Sequence, residues 1–593
     1  MRNLIRMSGI VGMLLSMLSG AACAAPEPEK PNVILLVLDQ LQADRLHCYG
    51  NPRLTSPNID RLAAEGVRFA NYSSVAPWTA PSYATMMTGQ FPSRHGVTLF
   101  WTPAMRAVYD KMPVLAEVFK AHGYRTAAFI GNVVAGRPVT GRGFEDYFEF
   151  KERSAPPSIT ERDIGPLLSA YRAPWIFEQF STWVVQHAAE PFFTFVLFFE
   201  PHSPYNPPPE HDIFKSDAYP DLTDIGYDIK QGQLKRLAQL GDAKATERLH
   251  QLYDGKIHYV DAYVGQLTEH LRKLGLDKKT VILLTSDHGE LLYERPAFMS
   301  FDHRSLYEPV LHVPFIVHGA VGIHPGRVVD ALTSSIDLQP TLLELAGLPA
   351  PPTAQGRSLV PLMEGKTKSG DPHVFSEQDI VEPLRSVRDQ RFKLIYSLWE
   401  GSKQLFDLRS DPKEGRNIAA QNPQVTQRLL AQLQEWMQQN QLPHDQLLAR
   451  WKAYLGPQKL TILDEQAIGG HLVLHGTGWH SDENPEDGHW AGGCFWIESG
   501  DGSKTAVWRA ENPLVGRFEI SVYFGRLPQH KVATNAPFTI LTESGTQTVR
   551  VNFNQGPGEW HLLGTYGNPY SVTLSNAADG VILVDAVKLE RLD

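Results

Sequence analysis

The sequence predicts an α/β domain followed by an all-β sandwich, and two observations carry that prediction. From residue 32 to about 455, short runs apolar on both faces alternate with segments of helical periodicity. After Gly456-Pro457 the runs become short, alternating and closely spaced, separated by Gly, Pro, Asn and Asp. A strand apolar on both faces lies between two covering layers, which is the condition of a sheet with helices on either side. Closely spaced alternating strands instead pack one face inward, as in a sandwich. The length of 593 residues exceeds what one hydrophobic core organises and fits such a division.

The elements follow in order. Arg2 and Arg6 precede an apolar run over 7–18, which leads into Ser-Gly-Ala-Ala-Cys-Ala-Ala. A positive start, a short apolar stretch and small residues at the exit read as a signal peptide over 1–25, cut after Ala24 or Ala25. The run is too short to span a bilayer, so no transmembrane segment is expected. The product is expected to be exported, periplasmic or extracellular, with lipidation at Cys23 as a second reading. Residues 26–31 are a Pro- and charge-rich linker. A formal net charge of −10 without any Lys/Arg block argues against nucleic acid as a partner. Cys48 and Cys494 fall in different predicted domains and read as isolated thiols.

Buried strands are predicted over 33–38, 192–197, 281–284 and 313–317, and helices over 56–65, 114–122 and 259–274. A smaller subdomain is expected over about 375–455, with a helix over 424–437 and another through Leu447, Leu448 and Trp451. Ligands of α/β sheets bind beyond the carboxyl ends of the strands. Asp39 follows the first strand and Asp287-His288 follow the third. Two carboxylates and an imidazole at strand ends suit a divalent cation, although an isolated Asp is more often a cap or turn residue.

The segment Trp78-Thr79-Ala80-Pro81-Ser82-Tyr83 adds a hydroxyl. Pro81 and Ser82 are placed to begin a helix that Gly89 ends, with Thr79 just ahead of its positive end. A metal bonded to the Thr79 oxygen would lower its pKa and make it a nucleophile. On local sequence alone, Thr79 reads as a helix N-cap.

These blocks resemble the sulfatase family of the alkaline-phosphatase superfamily. The resemblance rests on Pro31-Asn32-Val33, Asp39, His47-Cys48-Tyr49-Gly50, Ser56-Pro57-Asn58-Ile59-Asp60-Arg61-Leu62, Thr88-Gly89 and Ser286-Asp287-His288-Gly289-Glu290. It continues through Val313-Pro314, Asp337-Leu338-Gln339-Pro340-Thr341, Leu405-Phe406-Asp407-Leu408 and Asp411-Pro412 with Asn417, covering 32 to about 455. It implies the fold of that superfamily, a central mixed sheet flanked by helices. It implies one divalent metal (Ca, Mn or Zn) held by Asp39, Asp287, His288 and Thr79, with Thr79 in the nucleophile position. His202, in Glu-Pro-His-Ser-Pro-Tyr, and His303, in Phe-Asp-His-Arg-Ser, match pocket histidines. Gln40, Tyr83 and Asn132 complete the set as candidate substrate-pocket residues.

The departures are specific. Sulfatases carry Cys or Ser at the position of Thr79, oxidised to formylglycine and followed by x-Pro-Ser-Arg; here Tyr83 replaces the Arg. Thr cannot yield the aldehyde, so no formylglycine is expected, and water must release the product in a second displacement. Asp39-Gln40 is more like the phosphonate monoester hydrolases, and a Thr nucleophile resembles the nucleotide pyrophosphatase/phosphodiesterase branch. The expected activity is hydrolysis of sulfate or phosphate/phosphonate esters on a small molecule or glycan. The alternatives are group transfer to a sugar or lipid acceptor, and a non-catalytic metal- and glycan-binding protein.

Residues 459–593 resemble the golvesin-type β-sandwich, through Ala533-Thr534-Asn535-Ala536-Pro537-Phe538, Gly558-Glu559-Trp560-His561 and Leu574-Ser575-Asn576-Ala577-Ala578-Asp579-Gly580. Its Trp and Tyr residues offer either core packing or sugar stacking, hence polysaccharide binding. The loop Trp479-His480-Ser481-Asp482-Glu483-Asn484 is a candidate cation site.

Overall fold

In the computed structural model the described residues are 30–592, apart from 99–108, 133–134, 151–171, 218, 223–233, 235–236, 239–240, 295–297, 300, 320–323, 381, 441–459, 464–469, 483–488, 490–493 and 511–513. The expected signal peptide and the helix through Leu447 and Trp451 lie outside them.

The strands of the first unit, in chain order, are β1 (Asn32–Leu38), β2 (Val67–Ser73), β3 (Arg125–Ile130), β4 (Asp146–Glu149), β5 (Phe192–Phe198) and β6 (Thr280–Thr285). They continue with the short β7 (Leu291–Leu292), β8 (Phe298–Met299) and β9 (Phe301–Asp302), then β10 (Phe315–His318) and β11 (Arg327–Ser334). Eight of them form one sheet in the order β11-β2-β10-β6-β1-β5-β3-β4. β10 alone runs antiparallel to its neighbours, so the sheet is mixed. Pro314 stands just outside β10, where it forgoes a ladder N–H and its carbonyl accepts the Thr285 hydroxyl at 2.7 Å.

Every residue of β1 is buried, as its two-sided apolar pattern requires. Val33, Leu35 and Val37 join one core with Tyr83, Phe119 and Leu342, while Ile34, Leu36 and Leu38 join another with Ile59, Ile176 and Leu249. Helices therefore cover both faces. Strand ends emerge from between these two cores, and the residues just beyond them are buried yet free of the ladder.

The predicted helix over 259–274 is the second half of a longer one, Ala243–Lys273. Asp242 caps it, accepting from the Lys244 and Ala245 amides at 2.8 and 3.0 Å. Its apolar stripe is interrupted by buried Arg248, Asp254 and Lys256, which hide the period in sequence. Tertiary partners make those charges tolerable, Asp212 taking Arg248 at 2.7 Å and Arg53 taking Asp254 at 2.6 Å.

A second, antiparallel sheet of Val374–Gln378, Leu384–Arg388, Phe392–Ser397 and Lys403–Asp407 carries the helix Pro423–Asn440, which packs Leu429, Leu433 and Trp436 on it. Glu308 ties this sheet to the first unit through Arg388 at 2.6 Å and Lys393 at 2.8 Å. Against its own burial, the two cations hold its carboxyl down to about 2. A depressed folded pKa contributes stability above the unfolded value and loses it as pH falls towards 2. Glu308→Gln should therefore cost about 3 kcal/mol in urea unfolding at pH 7 and clearly less at pH 3.

The C-terminal region is all β. Leu460–Leu463, Ala586–Arg591, Arg517–Tyr523 and Trp560–Gly567 form one sheet. Gly545–Val551, Ala536–Thr542, Pro569–Ser575, Thr505–Ala510 and Gly470–His475 form a larger one, and β8 joins its edge. Trp479 and Trp508 are buried in the core, while Trp496 and Trp560 are half-buried. Cys48 is half-buried and Cys494 buried, both unbridged. Among the described residues no helix is long and apolar enough to cross a membrane.

Candidate active site

β1 and β6 are parallel neighbours, so the residues just past their carboxyl ends meet. Asp39 follows Leu38, and Ser286-Asp287-His288 follow Thr285; Asp39, Asp287 and His288 are fully buried, with ligand atoms all within 4.8 Å of one another. Asp287 Oδ1 accepts from the Gln40 and His288 amides at 3.2 and 2.9 Å, and Asp39 Oδ2 accepts from Asn132 Nδ2. Asp39 Oδ1 and Asp287 Oδ2 find no hydrogen-bond partner among the described residues. His288 bonds the Gly289 carbonyl through Nδ1 at 2.8 Å, a bond that assigns the proton to Nδ1. Its Nε2 lone pair is left 3.4 Å from Asp287 Oδ2. Three buried electron-pair donors thus face one another.

A divalent cation fits that arrangement, two hard carboxylate oxygens and a neutral imidazole being a normal donor set. The electrostatics agree. Burial and the neighbouring Asp287 charge hold Asp39 well above the usual carboxylate range, and burial lifts Asp287 to about 6. Burial also holds His288 far below the usual imidazole range, which keeps it a neutral ligand. Gly289 lets the strand end approach its neighbours, because a Cβ there would sit 2.1 Å from the Pro309 carbonyl oxygen.

The helix α1 (Thr79–Thr88), buried along its whole length, aims its N-terminus at this cluster. The expectation that Thr79 precedes the helix is corrected. Trp78 is the N-cap, Thr79 is the first helical residue, and Pro81 falls at the third position, where its missing N–H costs nothing. Nor does the Thr79 hydroxyl cap the helix; its Oγ1 lies 3.4 Å from His288 Nε2. The first intrahelical bond is Ser82 N to Trp78 O at 3.3 Å, so the Thr79 and Ala80 amides stand ahead of the ladder at the positive end. Gly89 ends the helix in the left-handed region at φ 65°, its N–H returning to Thr85 O at 2.8 Å.

The other predicted residues gather here too. Gln40 sits at φ 60°, an uncommon conformation for a residue with a Cβ, held by Asp287, by the Tyr253 hydroxyl on its carbonyl and by its Nε2 at 3.2 Å from His303 Nδ1. The His303 ring lies 4.7 Å from that of His288, and its Nδ1 is 3.4 Å from Glu290 Oε2. His202 stacks on Phe199 at 4.4 Å and bonds the Ser203 carbonyl at 2.6 Å through Nδ1. Burial, with the charges of His303 and Arg172, pushes it down to about 3. Tyr83, one turn after Thr79, brings its phenol beside Asp287 and Asp39; burial and those two charges raise it well above its usual value.

Several contributors were given no role from sequence, although Ser286 and Glu290 share a motif with Asp287 and His288. Ser286 accepts the Leu41 amide at 2.9 Å and donates to the His288 carbonyl at 2.7 Å, fixing the turn that presents Asp287 and His288. Buried Arg172 lies over the Phe199 ring at 4.0 Å, and its charge favours ionised Asp39. Glu290 places its carboxylate 3.4 Å from His303 Nδ1, and its carbonyl accepts from Gln42 Nε2.

Comparison with known proteins gives a consistent picture. A family model described as Sulfatase matches residues 31–348, one for the C-terminal part of N-sulphoglucosamine sulphohydrolase matches 297–442, and one for the golvesin C-terminal domain matches 463–591. An arylsulfatase of Clostridium perfringens is 26% identical over 440 residues, which are 66% of this chain and 90% of that protein. An N-acetylglucosamine-6-O-sulfatase of Bacteroides thetaiotaomicron is 25% identical over 503 residues, covering 68% of this chain and 86% of that one. In fold, the structure of a phosphonate monoester hydrolase from Silicibacter pomeroyi superposes with a TM-score of 0.58 at 24% identity, covering 70% of this chain and 96% of that one.

Proposed function

We propose that this chain, which belongs to the sulfatase family, is an exported, cation-dependent ester hydrolase whose nucleophile is Thr79. The observation that carries the reading is the Thr79 hydroxyl 3.4 Å from His288 Nε2, at a helix N-terminus beside two buried carboxylates that each leave one oxygen without a hydrogen-bond partner among the described residues. The substrate is a sulfate or phosphate/phosphonate ester on a small molecule or sugar, chemistries named for the relatives above.

Asp39, Asp287, His288 and the Thr79 hydroxyl would hold one divalent cation (Ca, Mn or Zn), which would supply Lewis-acid neutralisation of negative charge. The Thr79 and Ala80 amides, with the helix dipole, face the charge that spreads over the non-bridging oxygens in the transition state. Thr79 Oγ1, its proton lost to solvent, attacks sulfur or phosphorus in line as the bond to the leaving oxygen breaks. His303 protonates that oxygen and then takes a proton from the water that displaces Thr79, which departs as its oxyanion. Between the two pocket histidines the proton falls to His303. Its side chain is 24% exposed with the Glu290 carboxylate 3.4 Å away, whereas burial holds His202 neutral. Gln40 orients the His303 ring, Asn132 orients Asp39, and Tyr83 closes the wall where family members carry Arg. Glycan contact by the sandwich would fall to its half-buried Trp496 and Trp560.

The test is a panel of aryl sulfate, phosphate monoester, phosphate diester and phosphonate substrates, with and without chelator. Turnover of at least one, lost on chelation and restored by cation, is expected. No turnover of any by cation-loaded protein would overturn hydrolysis and favour group transfer or binding. Within that panel, His303→Ala should slow esters of poor leaving groups by about 100-fold or more. Esters of 4-nitrophenol, which leaves without a proton, should lose far less. Equal losses on both would remove His303 from the acid role.

A further inference from the structure

The sandwich sheet contains one strand that is not its own. β7 and β9 pair antiparallel as the arms of a hairpin, Leu291 opposite Asp302 and Leu292 opposite Phe301. The residues at its open end are Glu290 and His303, whose side chains meet at 3.4 Å. Between the arms, β8 leaves the hairpin and pairs with Gly470–His475, Met299 opposite Leu474 and Phe298 opposite His475. Phe298 and Met299, which lie in the sequence between Glu290 and His303, thus form an edge strand of the C-terminal sheet.

Two side-chain contacts anchor that sheet beside the site. Arg509, on the strand next to Gly470–His475, reaches Glu400 at 2.8 Å and Glu382 at 3.5 Å in the loops that connect strands of the four-stranded sheet. Trp399 stacks on Tyr570 at 4.4 Å with rings 4° from parallel. Arg509 is 14% exposed and Glu382 13%, so the pair is largely out of water and its loss leaves a charge without a counterion.

We propose that the C-terminal sandwich is a working part of the active-site wall, with Arg509 a positioning residue that acts through β8 on the Glu290–His303 hairpin. This rests on His303 acting on the leaving oxygen, as proposed above. A two-residue strand is not stable alone, so β8 keeps its place through the sheet that receives it, whereas Leu291 and Leu292 are held by burial in the first unit.

The test uses the full chain. In Arg509→Ala with Tyr570→Ala, amide exchange over residues 290–304 should rise about tenfold while the β1 and β6 peptides keep their protection. With poor-leaving-group esters kcat should fall about 10- to 100-fold at little change in KM, 4-nitrophenyl esters should be nearly unaffected, and Arg509→Lys should recover part of the loss. The exchange measurement stands even if no ester is turned over, so failure of the catalytic reading is distinguishable. Unchanged exchange, or equal loss on both ester classes, overturns the proposal. Should the double variant fail to fold, Met299→Cys with Leu474→Cys decides. Opposed positions of an antiparallel pair lie within disulfide reach. The crosslink should form and leave kcat intact; its absence, or loss of kcat on closing it, overturns the proposal.

Discussion

Thr79→Ala should abolish turnover, by about 10⁴-fold or more, while a divalent cation still binds. The hydroxyl is the atom expected to form the bond to sulfur or phosphorus, and the other hydroxyl in the first turn of α1, Ser82, donates to the Ala76 carbonyl instead. Thr79→Ser keeps an oxygen in place and should retain measurable activity. The alternative, Thr79 as a purely structural helix start, predicts the opposite pattern: a change of about 1 kcal/mol in stability and normal kinetics. Its Oγ1 faces His288 Nε2 rather than a helix amide, which is why the first outcome is expected. Mass spectrometry of the peptide containing Thr79 after a rapid quench should find it sulfated or phosphorylated. A Thr79→Ala variant that turns over normally would end the proposal.

Asp287→Asn should lose both cation and activity, yet make the cation-free protein more stable than cation-free wild type. Burial raises the folded pKa of Asp287 from 3.8 to about 6. A carboxyl raised on folding binds more protons folded than unfolded between those values, so stability falls as pH rises from about 4 to 6. Above that window the cost approaches 3 kcal/mol at most, which Asn removes by carrying no charge. In wild type the cation offsets it instead, contributing about 2.7 kcal/mol at a concentration 100-fold above Kd. Thermal melts at pH 7 should therefore rank chelated wild type below chelated Asp287→Asn. Cation should raise the melting temperature of wild type only. Identical melts for the two chelated proteins would show that Asp39 and Asp287 are not a cation cradle.

The fold class was legible because it depends on patterns within single elements. The two-sided apolar runs of β1, β5 and β6 could be satisfied only inside a covered sheet, and the strand-end rule then placed Asp39 and Asp287 near a site. Where charges are buried, the pattern broke. The first half of Ala243–Lys273 was missed because Arg248 and Asp254 sit on its buried side, and only Asp212 and Arg53 make that tolerable. The antiparallel course of β10 was equally hidden, since strand direction depends on the neighbour a run docks against.

The sequence by itself determined the α/β unit, the β-rich C-terminal region and a set of chemically plausible groups at the ends of strands. Tertiary structure alone decided how those groups face one another. It turned the Thr79 hydroxyl towards His288, 209 positions away, and left one oxygen each of Asp39 and Asp287 without a partner. It also placed Arg172 behind the site and lent β8 to the C-terminal sheet. The physical reason is range. Apolar periodicity and turn chemistry act over a few residues and are written locally, whereas burial of a charge and completion of a sheet edge depend on whatever the rest of the fold brings there.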